Sequence, residues 1–196
     1  MKDPYKSYIE HGIWVAIVLF IVICIFAKVD IAGCLSGENF VGFVGTIIGY
    51  AGESITITSF LMIAFNKHMW KWRTINKYVN RPILASSYKG TIVSDWNKEN
   101  KEYEAELKIR QTYLNVYVEL ITSESRSHSI LATINTIGES QRLVYIYQNE
   151  PRAEIIDKSP MHKGTADLYI EETGELDGSY YTLRGTRGSM HFKPKS

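Results

Sequence analysis

The run from Phe40 to Phe65, FVGFVGTIIGYAGESITITSFLMIAF, constrains this chain more than any other stretch. About 20 apolar residues rising 1.5 Å each cross the roughly 30 Å hydrocarbon core of a bilayer, so the run predicts a transmembrane helix over about 40–65. Steps of three and four from Gly42 reach Gly45, Gly49, Gly52, Thr56 and Ser59, a seam of small residues along one helical face. Beside it lies Glu53, the only charged residue of the run. Small seams let membrane helices approach closely, and Gly45 with Gly49 makes a GxxxG match. A carboxyl at membrane depth is costly and faces protein or water rather than lipid. The seam and Glu53 are therefore read as an assembly surface for other helices. The plainer alternative is an anchor in which Glu53 marks a helix break or stays neutral and bonded to a carbonyl.

A second apolar stretch, Ile13 to Ala27, continues through Val29 and Ile31 and predicts a first transmembrane helix over about 12–31, with Lys28 snorkelling to the interface. A signal peptide is disfavoured because no small-residue cleavage site follows and a second span comes soon after. The connection Lys28 to Asn39 holds one base, whereas Asn66 to Arg81 holds five bases and no acid. By the positive-inside rule both termini are cytoplasmic in a multi-pass protein, with the connection outside. Residues 1–81 form the membrane region with its basic linker, and 82–196 a separate domain. Both cysteines, Cys24 and Cys34, lie in the membrane region, so that domain has no disulfide and no cysteine zinc site.

Beyond Pro82 the period of the sequence changes to two. In KEYEAELKIRQ, Tyr103, Ala105, Leu107, Ile109 and Gln111 alternate with charged residues, the pattern of a strand with one wet face. The alternating glutamates are a solvated face rather than paired catalytic carboxylates. Further strands are predicted at Ser87 to Trp96, Leu114 to Thr122, Ser127 to Thr136, Arg142 to Gln148, Lys163 to Glu171, Ser179 to Arg184 and Ser189 to Lys193. Turn residues separate them, among them Ser123 to Arg126, Asn149 to Pro160 and Thr173 to Gly178. Eight short strands joined mostly by tight turns predict an all-β, antiparallel up-and-down barrel of lipocalin-like form, with a two-sheet sandwich as the alternative. Such a barrel leaves room for side chains and one small ligand.

From Pro82 onward 14 Lys and Arg stand against 16 Asp and Glu. That balance disfavours DNA or long RNA, whose affinity rests on phosphate neutralisation. There is no GxSxG, no GxxxxGK[ST] and no HExxH, and the five histidines lack metal-ligand spacing, so neither an enzyme nor a metal or other cofactor is expected. Tyrosine is abundant instead. Tyr145 and Tyr147 share a strand face, as do Tyr180, Thr182 and Arg184. Most such tyrosines fill barrel interiors, and some suit stacking on nucleobases. An inward Arg184 needs an anion, either a ligand phosphate or a protein carboxylate.

Several segments together resemble one family. They are Gln111-Thr112, Thr122 with the serines at 125, 127 and 129, YIYQNEP from Tyr145 to Pro151, and GTADLYIEETGELDGSYYTLRGTRG from Gly164 to Gly188. With two membrane helices before them, they resemble the two-transmembrane β-barrel effectors of bacterial cyclic-oligonucleotide antiphage systems (CBASS). The resemblance implies a barrel that binds a cyclic dinucleotide, followed by homo-oligomeric assembly of the membrane helices among lipid and disruption of the inner membrane. The candidate ligand contacts are then Gln111, Thr112, Tyr145, Tyr147, Tyr180, Thr182 and Arg184. The competing function is a membrane-tethered lipocalin-like barrel carrying a lipid or other apolar molecule, for which the inward set of Gln111, Thr182 and Arg184 is too polar.

Overall fold

The computed structural model describes residues 4–29, 40–95 and 101–195. The chain divides into two compact units, Met1–Ile75 and Asn76–Ser196.

The first unit is a helical hairpin. Helix α1, Pro4–Phe26, begins on a proline, whose fixed φ suits a first helical turn and whose missing N–H is not needed there. It ends short of the expected Ile31 because Lys28 adopts the left-handed conformation, φ 48°. The expected outer connection lies, from Asp30 on, outside the described residues. Helix α2, Phe40–Lys67, is followed by a 3-10 turn at Met69–Lys71. Both helices are long and apolar enough to cross a membrane. They meet on the row of α2 that carries the buried Ser54 and Thr58. Nearby, a Cβ on Gly12 would sit 2.9 Å from Met62 Cε, and the Tyr8 hydroxyl donates to the Met62 carbonyl at 2.5 Å. The small seam points elsewhere: a Cβ added to Gly45, Gly49 or Gly52 would meet nothing within 4 Å. Glu53, Thr56 and Ser59 are likewise exposed.

Helix α3, Arg73–Val79, leads into the second unit. Eight antiparallel strands then close a barrel in chain order, β1 Ser87–Ser94, β2 Lys101–Gln111, β3 Val116–Thr122, β4 Ser125–Ile137, β5 Ser140–Pro151, β6 His162–Ile170, β7 Leu176–Thr182 and β8 Arg187–Pro194. The sandwich alternative is excluded by β1 pairing with β8.

Several predicted boundaries move. The expected turn over Thr173–Gly178 closes earlier, between Glu171 and Glu175, with Gly174 at φ 82°. Gly178 belongs inside β7, where a Cβ would lie 2.1 Å from the Asp167 carbonyl, so its role is close backbone approach rather than turning. Arg184 consequently leaves the predicted strand and sits in the β7–β8 turn. Strand β5 also runs on through Asn149 to Pro151, into the predicted turn Asn149 to Pro160, and β4 starts at Ser125, inside the predicted turn Ser123 to Arg126.

The interior is filled at one end only. Leu107, Leu143, Leu168, Leu176 and Phe192 are fully buried there, with Tyr88, Val118 and Met190 nearly so. Inward residues run from apolar to polar along several strands: Leu143, Tyr145, Tyr147, Asn149 on β5; Val116, Val118, Leu120, Thr122 on β3; Leu176, Tyr180, Thr182 on β7. The registers bring these polar ends together, Asn149 lying opposite both Ser127 and His162, and Thr182 opposite Gly164. The barrel is thus a cup with a packed base.

Candidate functional site

The mouth of the cup is a cavity of about 410 Å³, within the range typical of small-molecule sites. Its walls hold two tyrosines laid against glycines. A Cβ on Gly164 would sit 2.4 Å from the Tyr147 hydroxyl and 2.5 Å from its Cζ, and one on Gly188 would sit 2.7 Å from Tyr180 Cε1. Any other residue at these two positions would push the ring out of place, so the glycines of the Gly164 to Gly188 segment seat the aromatic walls. Burial raises the pKa of both phenols, which therefore stay neutral donors across the physiological range.

Hydroxyl and amide groups line the part of the wall formed by the mouth ends of β3, β4 and β5. Asn149, itself buried, donates through Nδ2 to Ser125 Oγ at 2.8 Å and to Ser127 Oγ at 3.0 Å. Thr122 Oγ1 accepts from the Ser125 and Glu124 amides, which shapes the β3–β4 turn at the rim. Over the cup lies the connection from 152 to 161, which contributes Ile155, Lys158 and Ser159. Arg184 reaches towards it, donating to Ser159 Oγ at 3.1 Å and lying 3.3 Å from His162 Nε2. Burial pulls the pKa of Arg184 down, opposed by the Tyr147 phenol, and burial likewise lowers that of His162. Among the described residues, two cations, Arg184 and Lys158, share the cavity with one acid, Glu124.

Of the residues proposed from the sequence, Tyr147, Tyr180, Thr182 and Arg184 meet in this cavity. Three do not line it. Gln111 is engaged at the other end of the barrel, where its amide accepts from Leu84 N and donates to the Pro82 carbonyl, pinning the linker to β2. Thr112 caps the β2–β3 turn through Asn115. Tyr145 lies below Tyr147 with ring centroids 5.9 Å apart, wholly inside the core. The cavity adds Ser94, Tyr103, Ser125, Ser127, Asn149, Lys158, Ser159 and His162. Asn149, expected to open a turn, keeps the even spacing of Tyr145 and Tyr147, which is the signal that finds it, whereas Lys158 and Ser159 carry no periodic signal because they lie in a connection.

A polar-edged cup with aromatic walls and two cations suits a small anionic ligand with flat rings. Residues 79–194 match the family model described as Cap15, cyclic dinucleotide receptor domain. This chain belongs to that family. A protein named CD-NTase-associated protein 15 from Staphylococcus schleiferi is 28% identical over 193 residues, covering 98% of both chains. Another of that name, from Yersinia aleksiciae, is 28% identical over 133 residues, covering 64% of this chain and 62% of its own. The family match embraces the whole barrel, and the Staphylococcus alignment extends across the helical hairpin as well. The CBASS effector family suggested by the sequence segments is therefore the family found, with two apolar helices preceding a cyclic dinucleotide receptor barrel.

Proposed function

We propose that the cup is the receptor site, taking a cyclic dinucleotide with a base against Tyr147 or Tyr180 and its phosphates towards Arg184 and Lys158. The observation that carries this reading is the meeting of two glycine-seated tyrosines and two cations in one 410 Å³ cavity. Aromatic faces stack on any base, and a guanidinium matches phosphate oxygens with paired donors. A carrier for lipid would have an apolar lumen, whereas here Ser94, Thr122, Ser125, Ser127, Asn149 and Thr182 face the cavity.

Ligand binding then drives homo-oligomeric assembly of the two membrane helices in the inner membrane, both termini cytoplasmic, and disrupts that membrane. The uncovered seam Gly42, Gly45, Gly49, Gly52, Glu53, Thr56 and Ser59 supports this step, because hairpin packing leaves it open to a neighbouring copy. The protein acts as a receptor without catalysis of its own.

Calorimetry of the detergent-solubilised protein with cyclic di-AMP and cyclic di-GMP tests the first half. Binding at micromolar or tighter affinity, about 8 kcal/mol, is expected for at least one of them. Arg184→Ala should weaken it by about 2 kcal/mol while leaving thermal unfolding in place. No heat with any cyclic dinucleotide would overturn the reading. Gly49→Leu tests the second half: it should abolish dye leakage from induced cells with ligand affinity intact, and leakage at the parental level would reduce the seam to an anchor.

A further inference from the structure

Among the described residues, barrel closure leaves a long part of β4 paired on one side only. Strand β3 pairs with β4 only at Arg126, Ser127 and His128, and a register shift between Ser129 and Leu131 interrupts the β4–β5 ladder. Register places Val116, where β3 begins, near the bulge, so β4 runs on past the end of its partner. From Leu131 to Ile137 it pairs with β5 on one side. On its other side, no backbone hydrogen bond to this stretch exists among the described residues. Every second residue there directs an N–H and a C=O out of the sheet, a template for another strand.

Exposed edges are ordinarily protected by lysine, proline or an inward charge. This one has none of them. Ser129 to Ile137 reads SILATINTI, nine residues without a charge and rich in β-branched side chains. Ala132 and Ile134 turn inward against the core, which leaves Leu131, Thr133, Asn135 and Ile137 on the outer face. Leu131 and Ile137 are 61% and 49% exposed.

The pattern reads nearly the same in both directions about Ile134. If two copies pair antiparallel about a two-fold axis at that residue, Leu131 of each faces Ile137 of the other, and Thr133 faces Asn135. Ala132 faces Thr136, and Ile134 faces itself. Apolar meets apolar at Leu131 with Ile137 and at Ile134 with itself, polar meets polar at Thr133 with Asn135, Ala132 with Thr136 is the one mixed pair, and no like charges oppose each other. A foreign strand would need to match this pattern, whereas a second copy does so by construction. We propose that the far edge of β4, from Leu131 to Ile137, pairs antiparallel with the same edge of a second copy and joins two barrels into one continuous sheet. The edge is formed without ligand and lies away from the cavity mouth, so the pairing is independent of the receptor reading.

The test uses the full-length protein in membranes, with Cys24→Ser and Cys34→Ser as background. Thr133→Cys combined with Asn135→Cys should give an oxidised dimer on mild oxidation, because opposed residues of neighbouring strands bring their Cβ atoms within disulfide reach. Lys108→Cys, exposed on the outer face of β2, should remain monomeric. In detergent, Thr133→Lys with Asn135→Lys places like charges opposite each other twice and should weaken self-association about ten-fold. Thr133→Lys with Asn135→Glu should restore it, which separates loss of pairing from loss of fold. Arg184→Ala should leave the cross-link unchanged, so a failed cup and a failed edge are told apart. A double-cysteine protein that cross-links no better than the Lys108→Cys control would overturn the proposal. So would two lysines that leave the sedimenting mass unchanged.

Discussion

The two ends of the barrel interior are built from the same strands to opposite specifications. On β5, Leu143 is fully buried in the base, while Asn149 on the same face reaches the hydroxyl cluster of the cup. On β7, Leu176 lies under Phe192 in register, and Thr182 four positions past Gly178 faces the cavity. The base holds the barrel closed by excluding water. The cup gives up that stabilisation, keeping polar groups and empty volume that a ligand can use. Stability and recognition are thus separated along β3, β5 and β7 rather than between these strands.

The largest expected effect breaks the base. Leu168→Ala removes a side chain with no exposure and should cost about 2–5 kcal/mol in denaturant unfolding. Thr182→Ala, at the other end, should cost about 1 kcal/mol, since it loses only the hydroxyl contacts to Thr186, 2.6 Å to Oγ1 and 3.4 Å to the carbonyl oxygen. Equal losses at both sites would erase the division into base and cup.

Next comes the seat of an aromatic wall. Gly164→Val drives atoms into the Tyr147 ring and against the Tyr181 carbonyl. It should cost about 1–3 kcal/mol of stability and displace Tyr147 from the cavity, with ligand affinity falling by more than the stability change explains. Unaltered calorimetric affinity in a folded variant would show that Tyr147 does not meet the ligand.

A smaller change sharpens the boundary between the regions. The Tyr145 hydroxyl is buried with no hydrogen-bond partner among the described residues. Tyr145→Phe should therefore raise stability, by about 1 kcal/mol, and leave ligand affinity as it was. Tyr147→Phe, one inward position nearer the mouth, should alter affinity instead.

The smallest effect is a pH dependence at the rim. Burial holds the folded-state pKa of His162 below its ordinary value, with Pro160 O, Arg184 and the backbone of β5 around it. Its contribution to stability is then fully present above about pH 6.5 and lost as pH falls below that value. His162→Gln should flatten the slope of unfolding midpoint against pH between about 7 and 5. An unchanged slope would assign the acid sensitivity to other groups.

Much of this molecule is written in local pattern. The length and hydropathy of two runs determine two membrane-length helices, because a backbone in hydrocarbon must satisfy its own hydrogen bonds. Alternation of period two determines the strands, and tight turns between them favour an up-and-down barrel. The face shared by Tyr180 and Thr182 follows from the same alternation, whereas Arg184 reaches the cavity from the β7–β8 turn.

What the sequence left open depends on contacts between residues far apart in the chain. Gln111 and Thr182 are both polar residues on inward positions, but barrel stagger puts one beside Pro82 and Leu84 and the other at the mouth. Gly174 and Gly178 look alike in GELDG, yet one turns the chain and the other yields space to the Asp167 carbonyl of a neighbouring strand. Lys158 and Ser159 become cavity residues only because their connection folds over the rim. Periodicity specifies which face a side chain takes, since that is a property of consecutive backbone dihedrals. Register and stagger decide what the face meets, because they arise only when eight strands close on one another.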